Sequence, residues 1–416
     1  MRLGYLVPEF PSQTHVFFWR EIQALRSQGV EVRLISTRRP APASCRHAFA
    51  GAAAAETHYV FPPSPASLPS SLARLRRLGA CWRYLSGLTR SGAAENLRHV
   101  GVLLAAFDLV HHAARERIDH VHVHSCADAA HAVALAHLLG GPSYSVTVHG
   151  DLHVYGGDHA AKLASATFVA AVGQHLVGQI VDEGAVPAAR IHVTCMGVEL
   201  APLLSLGAER DFRSGALHVV TVARLNITKG HVHALAAVRR AVDAGADIRY
   251  TIAGAGEHRG AIEARVAELR LGERVRLVGT LSESEVFRLL GEADAFVLPS
   301  IGAGEAWPVS VMEAMAAGLP VISSVIGATP QMIESGVDGM LVEQADEPAF
   351  AEALLRLAGN VSARRAMGER ARVTARERFD VRITAERLSA AVRATLSRGD
   401  GRRSVQSGPV LASRIG

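Results

Sequence analysis

Two glutamates, Glu305 and Glu313, stand eight positions apart in the stretch GAGEAWPVSVMEAMAAGLPV, Gly302 to Val321. The run before it, AFVLPS from Ala295 to Ser300, reads as a buried parallel strand that ends at a proline. Glycines then open a loop that carries Glu305. Pro308 takes the first turn of a helix, and Gly318 and Pro320 stop that helix. One carboxylate therefore belongs to the loop, and the other lies about one turn into the helix. The helix start offers unpaired N–H groups and a positive dipole end, which together make an anion site. Carboxylates on both sides of a bound phosphate can accept hydrogen bonds from neighbouring hydroxyls. That chemistry suits a nucleotide-sugar.

Other residues carry compatible chemistry. Arg224 and Lys229 flank a short loop after the strand HVVTVAR. As point charges there they would neutralise a diphosphate leaving group, whose growing charge is the main electrostatic obstacle in glycosyl transfer. No Asp-x-Asp occurs to grip a metal–diphosphate, so no metal site is expected. The segment TVHGD, Thr147 to Asp151, ends a strand and should aim His149 into a cleft. His120, His122 and His124 alternate along another strand and share one face. With no further ligand evident, they read as rings stacked beneath a helix, while His124 and Ser125 at the strand end are expected at the cleft. Gly254, Ala255 and Gly256 form a tight turn, but Gly260 comes one residue too late for G-x-G-x-x-G. A dinucleotide site is not indicated.

Together these residues resemble family-4 retaining glycosyltransferases of the GT-B fold. Glu305 and Glu313 are similar to the family's E-x7-E element. The likeness runs in the family's order through VARLNITKGH (Val222 to His231), TIAGAGEHRG (Thr251 to Gly260) and RVRLVGTLSESEV (Arg274 to Val286). It continues through EADAFVLPS, AMAAGLPVI and GVDGMLV (Gly336 to Val342), and so covers nearly the whole second half. The resemblance implies metal-independent transfer of a hexosyl unit from a UDP- or GDP-linked sugar, with retention and without a cofactor. The acceptor it implies is a hydroxyl of a glycan or of a polyprenyl-diphosphate-linked saccharide. It also implies that Glu305 takes donor-sugar hydroxyls, Glu313 takes ribose hydroxyls, and His149 approaches the sugar and phosphate. Arg224 and Lys229 match the family's R-L-x-x-x-K-G element at the diphosphate. Backbone over Trp307, Pro308, Val309, Ser310 and Val311 would meet the phosphates, Gly254 would turn near the nucleotide, and Thr280 and Leu281 would contact the base. The loop PEFPSQTHVFFWRE, Pro8 to Glu21, would line the acceptor side through Ser12, Gln13 and Thr14, with His124 and Ser125 nearby. Ser12 and Thr14 are also of helix-capping type. The wording of this loop resembles bacterial exopolysaccharide and colanic-acid-type glycosyltransferases. It lacks the double glycine common there, and IGATPQ (Ile326 to Gln331) departs from the usual Gly-Gly…Pro-Glu pattern.

The rest of the chain must position these groups. At 416 residues, 49% hydrophobic and 20% charged, it is globular and long enough for two or more domains. Short apolar runs alternate with helical patterns in both halves, as in an α/β fold of two Rossmann-like, doubly wound parallel sheets facing a cleft. The expected division is an N-terminal acceptor-side domain over 1–200, an irregular linker over 201–215, and a nucleotide-sugar domain over 216–380. A C-terminal helix over 381–397, continuing a helix broken near Phe379, would cross back onto the first domain as in the resembling family. A frayed tail over 398–416 would follow. Four scattered cysteines form no C-x-x-C pair. The start, MRLGYLVPEF, is unlike a signal peptide, and no apolar run reaches the length of a membrane span. These features point to a cytoplasmic protein with no nucleic-acid partner.

One segment reads two ways. In SLARLRRLGACWRYLSGLTR, Ser71 to Arg90, the residues Leu72, Leu75, Leu78, Trp82 and Leu85 recur at helical spacing among five arginines. This fits equally a core helix with a solvated basic side and a helix lying on an anionic membrane, where the net charge of +5 would help. Two other function classes also stay open: a non-catalytic nucleotide-sugar-binding protein of this fold, and a nucleotide-sugar epimerase.

Overall fold

The computed structural model describes residues 1–41, 45–67, 69, 72–89, 92–208, 212 and 215–406. Seven strands form the first sheet: β1 (Arg2–Leu6), β2 (Glu31–Ser36), β3 (His58–Tyr59), β4 (His120–Val123), β5 (Ser143–Val148), β6 (Val169–Ala171) and β7 (Ile191–Val193). Six form the second: β8 (Leu217–Val222), β9 (Ile248–Ala253), β10 (Val275–Gly279), β11 (Ala295–Leu298), β12 (Val321–Ser324) and β13 (Gly339–Val342). Their spatial orders are β3-β2-β1-β4-β5-β6-β7 and β10-β9-β8-β11-β12-β13, with parallel pairing throughout both ladders. Such sheets are covered on both faces, and so strands like β11 (AFVL) are buried along their whole length. Each order reverses direction once, between β1 and β4 and between β8 and β11. Ligands of open α/β sheets bind in the crevice beyond the strand ends at such points.

Two chain crossings join the domains side by side. Val198 N donates to Phe379 O at 2.8 Å, and Val381 N donates to Val198 O at 3.1 Å. The chain from Val361 is helical to Arg378, breaks, and resumes as the helix Val381–Gln406. Val381, Ala385, Leu388 and Val392 of this last helix share a core with Leu3, Phe18, Ile22 and Leu25, so it does return to the first domain.

Two expectations need correction. The segment 201–215 is not irregular throughout, because Leu200–Ala208 is a helix with Leu200 and Leu203 buried one turn apart. Helix also continues past 397 through Gln406, while residues 407–416 lie outside the described part of the chain.

The alternating histidines of β4, His120 and His122, have a structural use. His120 bonds Ser143 and Ser145 Oγ, both at 2.8 Å, and His122 bonds Ser145 Oγ at 2.6 Å and Thr147 Oγ1 at 2.7 Å. The register explains this ladder, since His120 and His122 lie opposite Ser143 and Ser145 of β5. Both rings have every nitrogen occupied. Burial holds His120 and His149 down to about 3 and His15 to about 4. Burial also holds His122 and His124 well below the ordinary value, with neighbouring histidines adding to it. Nearby, burial pushes the Glu21 carboxyl up to about 7, although the Tyr5 hydroxyl donates to it.

These groups set the acid stability. The folded rings stay neutral while those of an unfolded chain titrate near 6.5, so their contribution is present above pH 6.5 and lost as pH falls towards 4. Glu21 acts oppositely, costing stability as pH rises from 4.5 to about 7. Five rings outweigh one carboxyl. Thermal melting against pH should show Tm falling from pH 6.5 downward, above the range where ordinary carboxylates titrate. A Tm that is flat or rising between pH 6.5 and 5 would contradict the neutral histidine cluster.

Candidate active site in the cleft between the domains

At the switch point of the second sheet, β8 and β11 end side by side. The chain leaves β8 through Arg224, makes a short turn over Ile227–Lys229, and enters the helix His231–Asp243. Gly230 between them has φ +63°, and a Cβ there would stand 1.8 Å from Pro299 O. Only glycine lets this loop lie against the end of β11. Lys229 is thereby brought to Glu305, to which its Nζ donates, and Ser300 Oγ donates to Glu305 Oε2 at 2.9 Å. Gly254 is held in the same way: it has φ +149°, and a Cβ there would lie 1.8 Å from Ala223 O. Arg224 stays exposed at the cleft edge.

The helix after Glu305 spans Val309–Ala316 with Pro308 as its N-cap, one position ahead of the first turn where the sequence suggested it. Trp307 is buried, donating Nε1–H to Met312 Sδ at 3.1 Å and meeting Phe379 edge-on. Val311 N is already bonded to Pro308 O. Pro308 has no N–H, so the helix-start amides facing the opening are those of Val309 and Ser310.

Glu313 is buried and bonds across the cleft. Arg20, from the helix Val16–Ser27 of the first domain, places Nη2 2.8 Å from Glu313 Oε1 and 2.6 Å from Glu283 Oε1. Its Nε donates to Glu283 Oε1 as well, at 2.8 Å. Burial works against the Arg20 charge, but the two carboxylates outweigh it and raise its pKa. Arg20 Nη1 is buried and has no partner among the described residues. From the same side, Gln13 Nε2 donates to Leu281 O at 3.0 Å and Arg46 Nη1 donates to Thr280 O at 2.6 Å. These groups enclose a cavity of about 550 Å³, also lined by Thr14, Phe17, Gly254 and Ser310. That is an ordinary size for a small-molecule site. A larger cavity of about 1440 Å³ opens around Pro142 and Arg393 at the opposite, N-terminal end of the first sheet, away from these carboxylates.

The family model for glycosyl transferases group 1 matches residues 208–374. Most of the second domain is thus similar to group 1 glycosyltransferases. The amylovoran biosynthesis glycosyltransferase AmsK of Erwinia amylovora is 41% identical over 176 residues, which are 41% of this chain and 42% of the relative. The putative colanic acid biosynthesis glycosyltransferase WcaL of Escherichia coli K12 is 33% identical over 174 residues, 40% of this chain and 42% of the relative. The chain thus aligns with about two fifths of the length of these curated relatives. Solved structures match over the whole fold. A glycosyltransferase from Rickettsia africae gives a TM-score of 0.71 at 17% identity, covering 95% of this chain and 98% of that one. Anabaena HepE in complex with UDP and glucose gives 0.70 at 14% identity, covering 94% and 99%. The architecture is GT-B.

In the second domain, Glu305, Glu313, Lys229, Arg224, Gly254, Thr280, Leu281, Pro308, Val309 and Ser310 all line one cavity. Across from it, Gln13 and Thr14 line the cavity, but Ser12 does not. Neither Ser12 nor Thr14 caps the helix, whose N-cap is His15 without a side-chain bond. His124 and Ser125 are buried and do not line this cavity. Ser125 Oγ accepts from Ala127 N, and His124 packs on Tyr5 and Phe18. His149 lies against Phe17 and Phe18, 3.1 Å from His124, with Nδ1 buried and unbonded among the described residues. Arg20, Arg46 and Glu283 went unnoticed in the sequence. The only sign of Arg20 was a charge among aromatic and aliphatic residues in VFFWREIQAL. Among the described residues no cluster of His, Cys, Asp and Glu is built to hold a metal.

Removing Arg20 should expose the cost of Glu313. Arg20→Ala leaves a buried carboxylate without its cation, a loss of about 3–5 kcal/mol, read as a fall in the urea midpoint. The double variant Arg20→Met, Glu313→Gln should recover much of that loss, because both charges are then gone. An Arg20→Ala midpoint equal to wild type would contradict the pairing.

Proposed function

We propose that the protein is a retaining glycosyltransferase. It moves a hexosyl unit from a UDP- or GDP-linked sugar to a hydroxyl of a glycan or lipid-linked saccharide in bacterial exopolysaccharide synthesis. The observation that carries this reading is the pair of carboxylates, Glu305 bonded to Lys229 and Glu313 bonded to Arg20, on either side of an open helix start. The printed names of the relatives, in amylovoran and colanic acid biosynthesis, and the UDP and glucose held by HepE favour the same substrates.

In this reading the diphosphate lies on the Val309 and Ser310 amides between Lys229 and Arg224. Ribose hydroxyls reach Glu313, where Arg20 Nη1 offers a donor. Sugar hydroxyls reach Glu305. The acceptor oxygen attacks the anomeric carbon on the face the diphosphate leaves, the carbon–oxygen bond to phosphate breaks, and the departing phosphate oxygen takes the acceptor's proton. Fixed positive charge aimed at the leaving group requires no reorganisation during the reaction. With no Asp-x-Asp to hold a metal, lysine, arginine and helix amides carry the leaving-group charge. Lys229→Ala and Glu305→Ala should each lower kcat/KM by about 2–4 kcal/mol, and wild-type transfer should survive excess EDTA. Wild-type turnover in either variant, or a complete loss in EDTA restored by magnesium, would contradict this assignment.

The reading extends to the membrane, with the protein held on the inner face by the segment 71–90. No helix among the described residues is long and apolar enough to cross a membrane. Leu72, Leu75 and Trp82 are nonetheless 68%, 50% and 68% exposed. The helix Leu78–Ser86 turns Cys81 inward and bonds Tyr84 to His131, which leaves Trp82 outward beside Arg83. Leu97, Val100 and Leu104 of the helix Ala93–Glu116 are exposed as well. Each arginine near an anionic leaflet contributes on the order of 1 kcal/mol, screened by salt. Flotation with phosphatidylglycerol vesicles should show binding that weakens in high salt and is lost in Arg74→Glu, Arg76→Glu, Arg77→Glu, with wild-type melting. Equal binding by that variant would refute the surface.

A further inference from the structure

Glu305 takes its place from the main chain on either side of it, and one bond that fixes this chain comes from the first domain. The loop before Glu305 contains Gly302 and Gly304, at φ +74° and +91°. Glycines give such a loop more conformational freedom than any other residue, so bonds from outside must hold it. After Glu305, Ala328 N donates to Ala306 O at 2.9 Å. Before it, Gly302 N donates to Gln344 Oε1 at 2.8 Å, and Gly304 N donates to Asp151 Oδ2 at 3.0 Å. Gln344 and Ala328 belong to the second domain, as Glu305 does. Asp151 reaches across from the loop that leaves β5.

Asp151 is itself aimed. Gln179, on the helix His175–Asp182, donates through Nε2 to Asp151 Oδ1 at 2.8 Å. Its Oε1 accepts from Leu152 N at 2.9 Å. Leu152 is fully buried, so this chain of bonds starts from the core of the first domain. Burial works against the Asp151 charge, but the bonds from Gln179 and Gly304 outweigh it and lower its pKa. A carboxylate that accepts from a main-chain N–H makes a charge-assisted bond, stronger than a neutral one.

We propose that Asp151 is a positioning residue, whose bond to Gly304 sets the loop so that Glu305 meets the sugar hydroxyls of the donor. The role rests on the glycosyltransferase reading above. It gives Glu305 what Arg20 gives Glu313, a holder from the opposite domain.

Calorimetry on the full chain compares UDP and GDP with UDP-glucose, UDP-galactose and GDP-mannose. The bare nucleotides have no sugar for Glu305 to take, and so they report the rest of the site. Asp151→Ala removes both bonds, and Asp151→Asn turns an NH2 against either the Gly304 N–H or the Gln179 amide. Each should weaken nucleotide-hexose binding roughly fivefold or more, with UDP and GDP affinity at the wild-type value. The double variant Asp151→Asn, Gln179→Glu exchanges the two side-chain types. The new amide oxygen then accepts from Gly304 N, and its NH2 donates to the new carboxylate, which still accepts from Leu152 N. This variant should recover most of the loss, whereas a carboxylate that touched the sugar itself would not be replaced by the exchange. An unchanged conjugate affinity in Asp151→Ala, an equal loss for the bare nucleotides, or a double variant as weak as Asp151→Asn would overturn the positioning role. Wild-type protein that binds none of these ligands would instead remove the donor reading beneath it.

Discussion

The cleft is organised around one buried guanidinium, which crosses from the first domain to two carboxylates of the second. Arg20 leaves the first helix of the chain and meets Glu313 and Glu283, which belong to helices following β11 and β10. Taking such charges out of water costs several kcal/mol per ion, and only close, multiple hydrogen bonds offset it. The network therefore tolerates no partial version: Arg20 holds Glu313 in place and supplies the cation beside it. Lys229 and Ser300 do the same for Glu305. Acceptor oxygens and cations thus face the cavity already charged and fixed, as a site that stabilises charge developing on a leaving group needs.

The topology explains why these residues meet. Each sheet reverses its strand order once, and the loops leaving β1, β8 and β11 converge from the two sheets upon one gap. Val198 and Phe379–Val381 bond to each other where the chain passes between the domains. The last helix then packs on the helix that carries Arg20, so that the end of the chain supports the residue bridging the cleft.

The carboxylate pair, the lysine loop and both parallel sheets were legible because each leaves a local trace: an apolar run, a glycine at a tight turn, a fixed spacing. Arg20 left almost none, since its partner Glu283 lies 263 positions away and only the folded geometry joins them. His124 and Ser125 misled because a strand end predicts nearness to the cleft but not which way a side chain packs, and Tyr5 and Phe18 draw His124 inward. The helix Leu200–Ala208 was hidden by its short length, and packing of Leu203 stabilises it more than local preference does. For the segment 71–90, helical spacing of leucines showed a stripe, and only the fold shows that Leu72, Leu75 and Trp82 face outward while Leu78 and Leu85 are half-buried.

The most direct test is a crystal structure of the protein with UDP or GDP bound. The account predicts the diphosphate within hydrogen-bond distance of the Val309 and Ser310 amides and of Lys229 Nζ, with the ribose hydroxyls on Glu313. A nucleotide bound elsewhere, or one whose ribose leaves Glu313 untouched, would contradict it.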